Sequence, residues 1–193
     1  MGGSENGMSI MGGTSTAWRT RDIVVVAVIA VAFGVFFWAF GLAWSGLAVL
    51  GPLQNVLYAG WLLPAIIAPL IVRKPGAALF AELVAAGVSI LIGSQWSVDT
   101  FVSGFVQGAA AELVFAAFRY RNWSLPVIAL ASLASTAAAF LHDWLVYYAT
   151  YDAAALTVLA GFMALSGLIV LPLVAVAIVS ALRQTGVLEG FPA

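Results

Sequence analysis

Apolar residues in this chain come in long unbroken blocks, not in the alternation of a half-buried strand or the three-and-four spacing of a helix on a soluble core. Six blocks follow one another over residues 23–43, 53–72, 77–92, 98–118, 125–148 and 154–182, separated by short breaks that carry Gly, Pro or charged residues. A helix needs about 20 predominantly apolar residues to cross the hydrocarbon of a bilayer. The pattern predicts an all-α integral membrane protein, a bundle of six transmembrane helices, in which the short third helix sits inside the bundle or its loop dips into the membrane. Pro64 and Pro69 within the second block and Pro172 within the sixth predict kinks, with neighbouring helices satisfying the freed carbonyls. The Gly-, Ser- and Thr-rich residues 1–20 read as a flexible and retained tail, 21–185 as the membrane domain and 186–193 as a short C-terminal tail.

The breaks give the orientation. Arg19 and Arg21 precede the first block, Arg73 and Lys74 follow the second, Arg119 and Arg121 the fourth and Arg183 the sixth, whereas the alternate connections hold no Lys or Arg. With six crossings these residues share one side, which the positive-inside rule makes cytoplasmic, along with both termini.

Composition closes off other classes. At 64% hydrophobic and 8% charged residues, with no cysteine, the chain has no room for a soluble domain, a disulfide or a thiolate site. Charges at block ends form no surface for nucleic acid. No phosphate-binding glycine loop is present, so any active transport draws its energy from another chain or an ion gradient. The single histidine has no ligand spacing around it, which predicts no metal and no cofactor. His142 and Asp143 are adjacent on a helix and diverge by about 100°, too far for a compact catalytic pair by themselves. Without a nucleophile there are no catalytic residues.

What remains is a set of polar groups inside the apolar blocks. A carboxylate at such a depth costs about 2.5–3.5 kcal/mol and needs a partner, a cavity or a ligand. Glu82 lies eight positions after Lys74 and Glu112 seven before Arg119, so at 1.5 Å per residue both sit about 10–12 Å in from the basic residues and face one another or a ligand. Gln107, nearer the midplane, offers amide donors and an acceptor to a heterocycle edge or to another helix. Gly104 and Gly108 share a face with Glu112 at four-residue spacing, the signature of close helix approach. At the opposite end Asn55, Tyr58, Trp61, Trp96 and His142 gather with further Trp and Tyr residues, as an interfacial belt or as the walls of a pocket. Ala30 and Gly34, like Ala39 and Ala43, form small pairs on the first helix that receive another helix of this chain or of a partner.

One family matches these residues as a linked set. The runs Arg73-Lys74-Pro75-Gly76-Ala77, Ala81-Glu82-Leu83, Gly93-Ser94-Gln95-Trp96, Gln107-Gly108, Ala111-Glu112-Leu113-Val114-Phe115 and Arg119-Tyr120-Arg121 resemble the YkoE-type S components, the substrate-binding subunits of energy-coupling factor (ECF) vitamin transporters. The resemblance implies a binder of thiamine or a thiamine precursor in a bacterial cytoplasmic membrane, working with a transmembrane coupling (T) subunit and two cytoplasmic ATPases. On this reading Glu82, Gln107 and Glu112 form the polar base of the site, Tyr58, Trp61, Trp96, His142 and Asn55 its outer part, and Ala30 and Gly34 the coupling interface. Two other readings stand beside it: a stand-alone carrier whose carboxylates relay protons, against which the lack of an inverted repeat counts, and an intramembrane enzyme built on His142 and Asp143.

Overall fold

The computed structural model describes residues 17–192, so the first sixteen residues of the tail expected over 1–20 lie outside the described residues. Among these the chain is wholly helical: α1 (Thr20–Gly46), a 3-10 helical stretch (Leu47–Leu62), α2 (Leu63–Val72), α3 (Ala77–Leu91), α4 (Val98–Ala117), α5 (Leu125–Val146), α6 (Ala153–Leu165), a π-helical turn (Ser166–Val170) and α7 (Leu171–Gln184). Four stretches are long and apolar enough to cross a membrane, Thr20–Val72, Val98–Ala117, Leu125–Val146 and Ala153–Gln184, and α3 is a shorter apolar helix. Outward-facing Val28, Leu42, Leu113 and Leu145 are each more than half exposed, an apolar surface made for lipid.

The chain doubles back within the first of these stretches. Gly51, at φ 56° and ψ −140°, breaks the helix ahead of Pro52, in a left-handed region open to glycine without the steric cost of a Cβ. The returning segment then lies against α1, with the Trp61 ring 4.9 Å from that of Phe40 and 6.0 Å from that of Trp44. At Pro64 and Pro172 the kinks expected from the sequence take another form, while Pro69 lies inside α2. Up to Leu62 the second block is 3-10 helical, and Pro64 falls in the first turn of α2, where its missing N–H would have had no intrahelical partner. Pro172 likewise opens α7, just after the π turn has widened the preceding helix.

All ten residues of α2 are buried, so this helix, apolar on every side, is the core around which the others stand. The neighbours α1, α3 and α4 approach at backbone distance. A Cβ added at Gly34 would fall 2.5 Å from Val88 Cβ and 2.8 Å from Ala85 O on α3, and one at Gly108 would fall 2.9 Å from Glu82 Cβ. Gly34→Ala is therefore expected to cost about 1–3 kcal/mol by overpacking, whereas Gly87→Ala, which meets open space, does not. Thermal melts of the two variants in detergent measure the difference.

Both ends of the described chain are docked at the basic end of the bundle. Trp18 Nε1 donates to Pro75 O at 2.8 Å, so the last residues of the expected tail pack against the bundle ahead of the boundary expected at residue 20. Beyond α7, Arg21 donates to Gly190 O at 2.5 Å and lies 4.3 Å from the centre of the Phe191 ring. Arg183 donates to Pro192 O at 2.8 Å.

Candidate binding site

The other end of the bundle holds a cavity of about 290 Å³, lined by Trp44, Tyr58, Trp61, Trp96, Asp99, Thr100, Asp143, Tyr147 and Tyr148. Five chain segments meet there. Trp44 closes the last turns of α1, the 3-10 stretch carries Tyr58 and Trp61, the α3–α4 loop Trp96, the first turn of α4 Asp99 and Thr100, and the end of α5 Asp143 and the two tyrosines. Local features fix the loop. Ser94 Oγ lies 2.9 Å from Thr100 Oγ1, and Gln95 Nε2 donates to Gly41 O at 3.1 Å. A side chain at Gly41 would strike the Trp96 ring, whose nearest atom lies 2.8 Å from the Cβ position. Trp96 in turn meets Trp61 edge to face, with centroids 5.3 Å apart.

The polar wall is a continuous network. Tyr58 Oη donates to Asp143 Oδ2 at 2.7 Å, His142 Nδ1 lies 3.0 Å from Asp143 Oδ1, His142 Nε2 lies 3.1 Å from Asp99 Oδ1, and Tyr147 Oη donates to Asp99 Oδ2. Imidazole thus stands between two carboxylates, and both contacts are hydrogen bonds together only when both ring nitrogens carry protons. His142 and Asp143 do meet, contrary to what their divergence on the helix implies, because side-chain reach closes the angle in the last turn of α5. Two carboxylates and no Lys or Arg among the lining residues, with a single imidazole behind them, leave the cavity acidic. Aromatic faces beside such charge suit a flat heterocycle that bears positive charge, and the volume is at the small end of ligand pockets.

Of the residues singled out in the sequence, Tyr58, Trp61 and Trp96 line this cavity and His142 stands directly behind its acids. The others are engaged elsewhere. Asn55 Nδ2 donates to Pro52 O at 3.1 Å and braces the turn after Gly51. Gln107 Nε2 donates to Ser103 Oγ at 2.6 Å, while its backbone oxygen accepts from Ser135 Oγ at 3.0 Å. Ala30 and Gly34 are buried, with Gly34 closed over by α3, so this face is filled by the chain itself.

Glu82 and Glu112 do not pair with each other; each sits on the N-terminus of a different helix. Glu112 Oε1 accepts from Gly76 N–H at 2.6 Å and from Tyr120 Oη at 2.7 Å, and its Oε2 accepts from Ala78 N–H at 3.0 Å. Gly76 is the N-cap residue of α3 and has no side chain to offer, so α4 supplies the cap from outside. Burial and the bond to Glu112 hold the Tyr120 phenol above its ordinary value, which keeps it a donor. Glu82, fully buried, accepts from Ala65 N–H at 3.0 Å in the first turn of α2. A carboxyl oxygen serves both helix starts as an acceptor for N–H groups that have no intrahelical partner.

Asp99 and Thr100 are site residues that the sequence did not disclose. An acid in the first turn of a helix is what the macrodipole favours, so Asp99 reads as an ordinary helix start. The signal that finds it is the absence of Lys and Arg from that end, which leaves Asp99 and Asp143 with His142 alone as counter-charge.

Comparison with known proteins agrees with this architecture. Residues 21–140 match the profile of a family described as "ABC-type cobalt transport system, permease component". A Bacillus subtilis (strain 168) protein described as "Putative HMP/thiamine permease protein YkoE" is 37% identical over 179 residues, which is 90% of this chain and 89% of that protein. A solved structure described as "Crystal structure of an S-component of ECF transporter" superposes with a TM-score of 0.86 at 37% identity, covering 90% of each chain. The chain belongs to this permease family, as a YkoE-type S component of an ECF transporter.

Proposed function

We propose that this chain is the substrate-binding S component of an ATP-driven vitamin importer of a bacterial cytoplasmic membrane, and that the acidic, aromatic cavity takes up thiamine or its hydroxymethylpyrimidine precursor. The observation that carries the reading is the acid-and-imidazole network set against Trp and Tyr faces at the end without Lys or Arg. A thiazolium bears a fixed positive charge and an aminopyrimidine offers donors and acceptors at its edge, so Asp143 and Asp99 supply counter-charge and hydrogen bonds while Trp61, Trp96 and Tyr58 pack on the rings. Cation–π attraction at each such face contributes about 0.5–2 kcal/mol. The name of the Bacillus subtilis relative supports this substrate class.

We read the doubled-back stretch Thr20–Val72 as two crossings and α3 as the third, which makes six in all. Arg19, Arg21, Arg73, Lys74 and Arg183 then lie in the cytoplasm with both termini, and the cavity opens outward. The chain hydrolyses nothing and relies on a T subunit and two ATPases. With Ala30 and Gly34 occupied, the small pair left on the outer face of α1 for a coupling helix is Ala39 and Ala43, both exposed.

Titration of the purified protein with thiamine, and separately with hydroxymethylpyrimidine, tests the reading through tryptophan fluorescence. Saturable quenching is expected with at least one of them, weakened about 3–30-fold by Trp61→Ala or Trp96→Ala. Failure of both compounds to bind, or binding untouched by either substitution, refutes it.

A further inference from the structure

At the basic end a second cavity, of about 210 Å³, opens between α2, α5 and α7. Its inner walls are apolar, formed by Leu70, Ile128 and Val179, and its mouth is marked by Arg73, Arg183 and Trp123. Arg73 is placed there by the backbone. It ends α2 in the left-handed conformation, at φ 52° and ψ 42°, with its N–H donated to Pro69 O at 2.9 Å. That geometry lays the guanidinium over Trp123, 5.6 Å from the ring centre.

Three observations mark this mouth as suited to an anion. Arg73 Nε is buried and has no acceptor. Among the described residues no carboxylate lies within ion-pair distance of Arg73 or Arg183, and the bond that Arg183 makes is to a backbone oxygen. The two guanidiniums are also near enough to oppose each other: burial and the Arg183 charge hold Arg73 below its ordinary value. Folding gains nothing from drawing two like charges together beside an apolar slot. A phosphodiester between them would accept from both forks and cancel the repulsion.

We propose that this groove binds one anionic phospholipid, its phosphate held between Arg73 and Arg183 and an acyl chain lying along Leu70, Ile128 and Val179. The apolar floor argues for a lipid over free phosphate, which would have no use for it. A narrow slot on the flank of a membrane bundle, at the level of the headgroups and beside an interfacial tryptophan, is where a lipid already lies. This site is at the opposite end from the vitamin cavity and does not depend on what that cavity holds.

Native mass spectrometry of the full chain, released from micelles doped with equal amounts of phosphatidylglycerol and phosphatidylcholine, tests the proposal. Retention of one phosphatidylglycerol in clear preference to phosphatidylcholine is expected, falling about fivefold with each of Arg73→Gln and Arg183→Gln, and unchanged by Arg121→Gln, a surface arginine outside the groove. Arg183 is exposed, so its variant keeps the test valid if Arg73→Gln folds poorly. Equal retention of the two lipids, loss of the lipid to millimolar inorganic phosphate, or the same loss with Arg121→Gln overturns the proposal. So does a preference that survives both groove substitutions, and so does a slot that takes up lipid indifferently but is covered when the coupling subunit binds.

Discussion

Asp143→Asn is expected to weaken thiamine binding by about 30-fold or more, because truncating one partner of a buried, hydrogen-bonded charge pair costs about 2–5 kcal/mol. The substitution keeps the shape of the side chain and an oxygen to face His142, 3.0 Å away, and an amide beside Tyr58 Oη. What it removes is one of the two negative charges on the cavity wall. The neutral pyrimidine precursor should lose far less, so the ratio of the two losses reads the electrostatic share of recognition directly. If thiamine affinity stays within about threefold of the parent at low and at physiological salt, the acids are not the ligand's counter-charge and the assignment of this wall fails.

Glu112→Ala is expected to act on the fold. It leaves Gly76 N–H, Ala78 N–H and the Tyr120 hydroxyl without their acceptor. Each unmet buried group costs about 1–3 kcal/mol, which places the total at about 3 kcal/mol or above and the fall in melting temperature at about 6–12 °C for a chain of this size. Glu82→Ala removes one such bond and should cost less than Glu112→Ala. Melting curves in one detergent, run beside ligand titrations well below the transition, separate the roles. Full loss of thiamine affinity in a Glu112→Ala protein that melts like the parent would return that carboxylate to the binding site.

These two variants mark where the sequence is informative and where it is not. The long blocks of apolar residues and the one-sided distribution of Arg and Lys are global signals, set by the thickness of a bilayer and the sign of its inner face, and they survive without any knowledge of tertiary contacts. Gly104 and Gly108 are legible for the same reason, since only glycine allows the approach of α4 to α3 that their contacts with Glu82 record. Glu82 and Glu112 were legible as costly and not as to purpose. Hydropathy gives their depth but is blind to the start of α2 at Leu63, in the interior of its apolar block, because 3-10 and α-helical residues look alike in composition. Once that start is known, a buried helix terminus with unmet N–H groups explains a buried acid beside it. Asp99 was missed for the converse reason: its position at a helix start offered an adequate local explanation, and its meeting with His142 joins residues 43 positions apart.

The two glutamates also determine how the bundle can move. α4 grips the start of α3 through Glu112, and α3 grips the start of α2 through Glu82. A slide of any one of these helices along its axis by a single residue, about 1.5 Å, would pull an amide off its carboxylate, and at fully buried Glu82 no water replaces the lost bond. The three are therefore geared together, and reorientation in the bilayer is cheapest as a tilt of the whole body. Amide exchange at Ala65, Gly76 and Ala78 should accordingly be slow, and should stay slow through the transport cycle.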